Sequence, residues 1–431
     1  MSESTGLESE AAAASVGEES GAVATEGLSL ERTFAALRHR NYRLWFIGQM
    51  VSLFGTWMQV TAQGFLVFEL TESPAYLGYV GFAGGVPAWL FTLYGGVIAD
   101  RVPRRWLLSA TQAGMMALAI FLAADTFLGL VTPWHIVVLA FLLGIINAFD
   151  APARQAFVLE LVDKEEMTNA IALNSSVFNL ATTFGPAIAG VTYAVVGPAW
   201  CFAINALSFV AVIAALALMR LPALMTPRPH TPVFEEVGVG LRFVAGHPVI
   251  RLLIASLAVI SVFGFSMMTL MPAWSVSVLD GGPRTNGLLL SARGLGSLAG
   301  ALMVASVGTL FYRGRMLALA ALLLPVLMFV FATIHWLPLA LVALVAAGWA
   351  FMVVFNMLNS LVQLHTPDYL RGRVMSVYTL TFFGLMPLGA LLVGTMAARL
   401  GAPLTVMINA SLVLVLALGL WFGFPAVRNL R

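Results

Sequence analysis

The sequence predicts an all-α polytopic membrane protein, with twelve transmembrane helices in two six-helix bundles related by an internal repeat. Three observations predict this. Hydrophobic residues make up 60% of the 431 and charged residues only 10%, against about 25% charged in an ordinary soluble domain. Mean hydropathy is +0.93. Apolar stretches of about 20 residues, the length that crosses a hydrocarbon core, recur along the chain. The later part of the chain repeats the earlier part at a constant offset. So little charge cannot cover a water-facing surface, which argues against a soluble enzyme. The single cysteine, Cys201, excludes an internal disulfide and a cysteine-rich metal site.

Residues 1–30 are rich in Ala, Glu, Ser and Gly and hold no apolar run, which predicts a disordered acidic cytoplasmic tail and no signal peptide. Seven of the 20 acids lie in residues 1–31, so the rest of the chain is basic. From Leu28 to Leu44, apolar residues alternate with Arg32, Arg38, Arg40 and Arg43, which predicts a short helix on the membrane surface. The spans then read 44–68, 75–98, 106–126, 133–153, 169–195, 199–219, 249–278, 285–311, 315–334, 337–362, 374–398 and 402–424. Only Ile334, His335 and Trp336 separate the ninth from the tenth. Backbone groups in lipid must pair internally, so these segments are helices.

Charge sets the orientation. With both termini inside, cytoplasmic segments hold 19 of the 22 basic residues; Arg284 and Arg399 fall outside and Arg293 falls within a span. The arginines thus serve topology, and a nucleic-acid partner loses its support. Domains follow: a six-helix bundle over 31–219, a cytoplasmic linker over 220–248, a second bundle over 249–424 and a cytoplasmic tail over 425–431. The linker carries Pro222, Pro227, Pro229 and Pro232, then an amphipathic piece, Phe234–Ala245.

The repeat supports the division. A shift of 204 brings Gly185 onto Gly389, Gly190 onto Gly394, Gly197 onto Gly401 and Ile204-Asn205-Ala206 onto Ile408-Asn409-Ala410. A shift of 209 brings Phe54-Gly55 onto Phe263-Gly264 and Gly85 onto Gly294. Two like-oriented six-helix halves are the arrangement of one large class of secondary transporters.

Four sets of residues carry candidate mechanism. Between the second and third spans, Asp100 is followed by Arg101, Arg104 and Arg105. The arginines hold the loop inside, and a carboxylate here can dock on a helix N-terminus, where exposed N–H groups favour negative charge. In the fifth span, Gly185, Pro186 and Gly190 allow close backbone approach and a bend; Pro387 and Gly389 answer them in the eleventh. In the first span, Gln49, Ser52, Thr56, Gln59 and Gln63 are spaced 3, 4, 3, 4 and share one helical face. Asn356, Asn359 and Gln363 repeat this in the tenth span, and Asn147, Asp150 and Arg154 in the fourth. Such faces look into a cavity or another helix. Arg293 is an intramembrane cation about 12 Å below the outer end of the eighth span at 1.5 Å per residue, which makes it a candidate solute contact or an anchor. Glu69 and Asp150 are the candidate proton carriers, since no carboxylate lies nearer the middle of a span. There is no HExxH, GxSxG or GxxxxGK[ST], so a membrane enzyme, a metal or other cofactor, and nucleotide-driven transport are all disfavoured.

Gly96-Val-Ile-Ala-Asp100-Arg101-Val-Pro103-Arg104-Arg105 resembles the loop 2–3 motif of the major facilitator superfamily, with Pro103 where Gly is commoner. The resemblance makes Asp100 a gating latch with Arg104 and Arg105 as basic partners, docking near Met375 and Ser376, and makes Asp150 a partner for an arginine. Phe184-Gly185-Pro186-Ala187-Ile188-Ala189-Gly190 resembles that superfamily's span-five antiporter motif, with Ala181 and Ala189 in place of its usual glycines. Asn41-Tyr42-Arg43-Leu44-Trp45, Asn169-Ala170-Ile171-Ala172-Leu173-Asn174 and Arg371-Gly372-Arg373-Val374 are similar to the branch of enterobactin exporters and macrolide-efflux proteins. The resemblance implies a plasma-membrane, proton-coupled exporter of a medium-sized, partly apolar solute, working by alternating access, with a monomer, the bilayer, the solute and protons as its setting. An importer or facilitator on the same fold is the alternative.

Overall fold

A computed structural model describes residues 34–220, 233–306 and 312–424; the predicted tails at 1–30 and 425–431, and part of the linker, lie outside them. All regular structure among the described residues is helical. Fourteen α-helices follow in order: α1 (Arg40–Thr71), α2 (Pro74–Arg101), α3 (Arg104–Phe127), α4 (Pro133–Val158), α5 (Met167–Val196), α6 (Pro198–Leu218), α7 (Val233–Gly246), α8 (Pro248–Val259), α9 (Met271–Ser277), α10 (Pro283–Ser306), α11 (Arg313–Ala332), α12 (Leu337–Leu364), α13 (Asp368–Leu400) and α14 (Ala402–Leu418). Ten segments are long and apolar enough to cross a bilayer, and α2, bent by 57°, adds an eleventh. The 32-residue α1 is long enough too, but its polar stripe lowers its hydropathy.

Proline opens the helices and glycine closes them. Pro74, Pro133, Pro198, Pro248 and Pro283 each stand at a first helical position, where a missing N–H costs nothing. Gly197 ends α5 with φ +92° and Gly401 ends α13 with φ +82°, a backbone conformation that side chains disfavour. These two glycines are the pair that the 204-residue shift superimposes, so the matched positions share one kind of helix end.

The structure corrects two sequence expectations. The surface helix over 28–44 reduces, among its described residues, to one 3-10 turn, Ala35–Arg38, with Arg40 and Arg43 already in α1. That turn is pinned to α5 by the Ala36 N–H, which donates to Asn169 Oδ1 at 3.0 Å, and the start of α1 is pinned there by the Tyr42 hydroxyl, which donates to the Ala170 carbonyl at 2.8 Å. The span over 249–278 is not one α-helix. It runs as α8, a π-helical turn (Ile260–Phe265), a 3-10 turn (Ser266–Leu270) and α9. Pro272 removes a donor and its ring crowds the preceding turn. The Ser261 hydroxyl, meanwhile, bonds outward to the Phe382 carbonyl at 2.7 Å.

The sequence's small residues set the packing. One end of the molecule carries Arg40, Arg101, Arg104, Arg251 and Arg371; we call it the basic end. Away from it, α2 lies on α13 with Gly78 against Ala390 and Gly394, and Gly85 against Pro387. Beside this seam, α5 lies on α10, with Gly190 against Pro283 and Gly287, and Thr183 against Gly294. These glycine contacts lie in the half of each helix remote from the basic end, and the α2–α13 seam reaches the middle of both helices, where Gly384 meets Trp89. At the basic end, Gly96 of α2 meets no atom within 4 Å of where a Cβ would stand. The largest core cluster gathers residues of α8 to α14 around Trp274, Phe331 and Leu344, and separate clusters form among α1 to α6 around Trp45 and Phe157, and around Phe65 and Phe202.

Candidate functional site

The polar face of α1 meets the polar face of α4 at a cavity of about 160 Å³. Gln49, Ser52, Thr56 and Gln59 contribute from α1, and Asn147, Asp150 and Arg154 from α4. Gln112 of α3 and Asn205 of α6 complete the polar wall, with Trp57 and Phe178 as apolar cover. Ligand pockets usually measure about 300–1,000 Å³. This one has room for waters or for part of a solute of that size.

Asp150 is the charged centre of the cavity. It is completely buried. Its Oδ1 accepts from the Thr111 hydroxyl at 2.8 Å and from Gln112 Nε2 at 3.0 Å, and its Oδ2 lies 3.3 Å from Arg154 Nε, one helical turn away. Two donors and a cation make a buried carboxylate tolerable. The set is incomplete: Asp150 Oδ2, Gln112 Oε1 and Gln49 Nε2 are buried without a hydrogen bond among the described residues. Unpaired polar atoms around a small polar cavity are what water or a polar solute group satisfies. Gln59 is better served, since its Oε1 accepts from Asn205 Nδ2 at 2.7 Å.

Other candidates stand apart. Gln63 is buried in α1 but does not line the cavity. Neither do Asn356, Asn359 and Gln363 of α12; Gln363 Nε2 donates to Asn359 Oδ1 at 2.6 Å, so this stripe partly satisfies itself. Glu69 is exposed at the end remote from the basic one, where the Tyr193 hydroxyl donates to it. Of the two carboxylates singled out as proton carriers, Asp150 is thus the buried one.

At the basic end, Arg104 bridges Asp100, at 3.2 Å, and Glu160. Arg105 is not a partner of Asp100. Asp100 and Arg104 are four residues apart and share a face, whereas Arg105 points away and donates to the Ala217 carbonyl at 3.0 Å. Arg101 is exposed. Asp100 makes no hydrogen bond or ion pair to α13 among the described residues, and the Ser376 hydroxyl bonds within its own helix to Gly372. The linker helix α7 lies on that part of α13 instead: a Cβ on Gly240 would stand 2.7 Å from the Arg373 carbonyl and 3.1 Å from Val377.

The glycine and proline candidates all sit at helix crossings. Gly185 faces Trp57 of α1, Pro186 and Gly190 face Gly287 of α10, Pro387 faces Gly85 of α2, and Gly389 faces Val262 of the π turn. Arg293 projects from α10 over two rings, Phe265 at 4.6 Å and Phe351 at 5.5 Å from the ring centroids. Sequence reasoning missed Thr111 and Gln112, an adjacent polar pair in an otherwise apolar span, and the rings around Arg293. The first left a visible signal. The second did not, because 29 Phe offer no periodic clue to which of them cluster.

The family described as transmembrane secretion effector matches residues 31–430. The multidrug efflux pump Tap of Mycolicibacterium fortuitum is 29% identical over 392 residues, covering 87% of this chain and 93% of that protein. The staphyloferrin A transporter of Staphylococcus aureus is 25% identical over 361 residues, covering 83% and 90%. The enterobactin exporter EntS of Shigella boydii serotype 18 is 26% identical over 384 residues, covering 86% and 88%. In fold, the chain is similar to the nucleoside transporter NupG, with a TM-score of 0.68 at 15% identity, covering 92% of this chain and 100% of that one. It is also similar to a bacterial homologue of the human lysosomal transporter Spinster in an inward-facing, unoccupied conformation, with a TM-score of 0.69 at 15% identity, covering 90% and 98%.

Proposed function

The chain belongs to the transmembrane secretion effector family of the major facilitator superfamily, and we propose that it is a proton-coupled exporter of a medium-sized, partly apolar solute of the drug or siderophore type. It is a multi-span membrane transporter and not an enzyme. In this reading twelve spans form two six-helix halves, 31–219 and 249–424, joined by the linker. The protein works as a monomer in the plasma membrane, with both termini and the basic end in the cytoplasm.

The observation that carries the reading is the one-sided closure of the seams. The close backbone contacts of α2 with α13 and of α5 with α10, at Gly78, Gly85, Gly190 and Gly287, are remote from the basic end, and the α2–α13 seam extends only to the middle of the helices at Trp89 and Gly384. A transporter closed outside and open inside has this pattern. Asp100, paired with Arg104 and not with α13, is then a latch in its open position. When the halves rock to open outward, Asp100 reaches the N-terminal part of α13 near Met375, and the seams part. Asp150, with Gln49 and Gln112 at the cavity wall, serves as the proton carrier, because a buried carboxylate changes charge only when the surroundings that stabilise it change.

The test uses protein in liposomes under an imposed pH gradient, with siderophores, macrolides and lipophilic dyes. Flux that requires the gradient, and that is lost in Asp100→Asn, is expected. Flux indifferent to the gradient would refute proton coupling, and normal flux in Asp100→Asn would refute the latch.

A further inference from the structure

We propose that Arg293 and the phenyl rings around it form an anion subsite, which takes a carboxylate or phenolate carried on a flat aromatic skeleton. The proposal rests on the transporter reading above and names the class of its solute. Arg293 lies in α10, ten residues from the start at Pro283. Its guanidinium stands over Phe265 and Phe351, whose ring centroids are themselves 5.4 Å apart. Phe382 closes the group, 5.7 Å from Phe265, and Phe355 lies 4.8 Å from Phe382. Ring faces attract a cation but do not neutralise it.

No protein group neutralises Arg293 either. Among the described residues it makes no hydrogen bond and no ion pair. Residues 249–431 contain only two acids, Asp280 and Asp368. Asp368 pairs with Arg371 at the basic end, and Asp280 lies in the turn before α10. The helices packed on α10 are α5, α9, α12 and α1. The first three hold no acid, and α1 holds only Glu69, which takes the Tyr193 hydroxyl. An intramembrane cation with no counter-charge is costly, and the cost is relieved by an anion that arrives from outside the fold.

The surroundings select the rest of that ligand. Phe265 ends the π turn that breaks the seventh span, and π turns concentrate at functional sites. Phe351 and Phe382 are buried behind Phe265, whereas Phe265 and Arg293 are half-buried, so Phe265 is the ring available to a flat skeleton while the guanidinium takes its anionic group and the two buried rings hold it in place. This chemistry differs from that of the Asp150 cavity, where hydrogen-bonding groups and a carboxylate favour neutral polar or cationic parts.

The test is binding of tritiated 2-naphthoate to the full-length protein in nanodiscs, with 2-naphthalenemethanol and 2-naphthylmethylammonium as neutral and cationic competitors. The carboxylate is expected to bind at least tenfold more tightly than the alcohol, and the ammonium most weakly. Arg293→Gln should erase that preference and leave the alcohol within twofold of its wild-type affinity. Phe265→Leu should weaken the carboxylate and the alcohol together. Equal affinities in the wild type, or a preference that survives Arg293→Gln, would overturn the proposal. If Arg293→Gln yields no folded protein, Arg293→Lys decides, since lysine keeps the charge without the planar stacking. At least threefold weaker 2-naphthoate with unchanged alcohol supports the subsite, and no change overturns it. Flux of a neutral dye in liposomes separates the two readings. Gradient-driven dye flux without anion preference refutes the subsite alone, and anion preference without any flux refutes the exporter alone.

Discussion

Gly190→Ala is expected to open the seam between α5 and α10 without unfolding the protein. A Cβ at position 190 would lie 2.6 Å from the Pro283 carbonyl oxygen, 3.1 Å from Arg284 Cα and 3.2 Å from Gly287 Cα. All three are backbone atoms, so no side chain can rotate aside. Comfortable contacts between heavy atoms lie near 3.5–4.0 Å, so the helices must separate by roughly 0.5–1 Å. Overpacking of this kind costs about 1–3 kcal/mol. Alanine also gains about 1 kcal/mol over glycine in helix propensity, but it gains this in every folded conformation. The clash therefore acts only on the conformation with this seam closed and shifts the equilibrium by about 5- to 150-fold. Spin labels at Leu130→Cys and Trp336→Cys, both exposed in turns remote from the basic end, report that separation. Cys201 is fully buried and does not compete for label. A longer-distance population should grow in Gly190→Ala and stay unchanged in Gly238→Ala, where a Cβ meets nothing within 4 Å. An unaltered distance distribution in folded Gly190→Ala would refute the argument that this crossing holds the seam shut.

Asp150→Asn should preserve the fold but lower gradient-driven flux at least tenfold, with exchange in the absence of a gradient held within twofold; equal loss of both would reject a proton-carrying role. Asp150→Ala should also destabilise the protein, because the buried Gln112 amide loses its acceptor at about 1–3 kcal/mol while the Thr111 hydroxyl keeps the Leu108 carbonyl, and an unchanged thermal midpoint would contradict this. Phe331→Ala removes a fully buried ring stacked 4.5 Å from Trp274, so a loss of about 3–5 kcal/mol should show in thermal denaturation and in yield. Gly197→Ala should cost about 1–3 kcal/mol, since its φ of +92° disfavours a Cβ, whereas Gly246→Ala, with open space around it, should be close to neutral by the same measurement.

Much of the helical layout was legible because the bilayer imposes it. Span length, proline starts and the Gly197 and Gly401 stops are local signals, and they placed most helix ends within a few residues. The α1 and α4 stripes were legible for the same reason: polar side chains at 3, 4 spacing share a face whatever that face meets. What each face meets is a tertiary fact. The α12 stripe has the same spacing, yet Gln363 turns to Asn359 and does not line the Asp150 cavity. The break in the seventh span was also hidden. Pro272 marks it in sequence, but Pro87, Pro186, Pro325 and Pro387 sit inside helices that continue. The difference lies in neighbours such as the Phe382 carbonyl, which takes the Ser261 hydroxyl.

The matching positions within the sequence bear on why the two proposed solute contacts differ in chemistry. Asn205 and Asn409 occupy matching positions under the 204-residue shift, and both are buried. Asn205 donates to Gln59 of the unbroken α1, whereas both amide atoms of Asn409 lack a partner among the described residues. The helix that corresponds to α1 is the broken α8–α9 segment, where Gly264, the mate of Gly55, falls inside the π turn. Under the same 209-residue shift Thr56 of the polar face of α1 falls on Phe265, so a face that is polar in α1 carries a ring in its counterpart. The difference between the two walls therefore lies in the side chains at matching positions, hydrogen-bonding in α1 and aromatic in the broken segment. A solute that spans the proposed halves must then be amphipathic. Substitutions at Asp150 and at Arg293 should accordingly alter recognition of different parts of the same molecule.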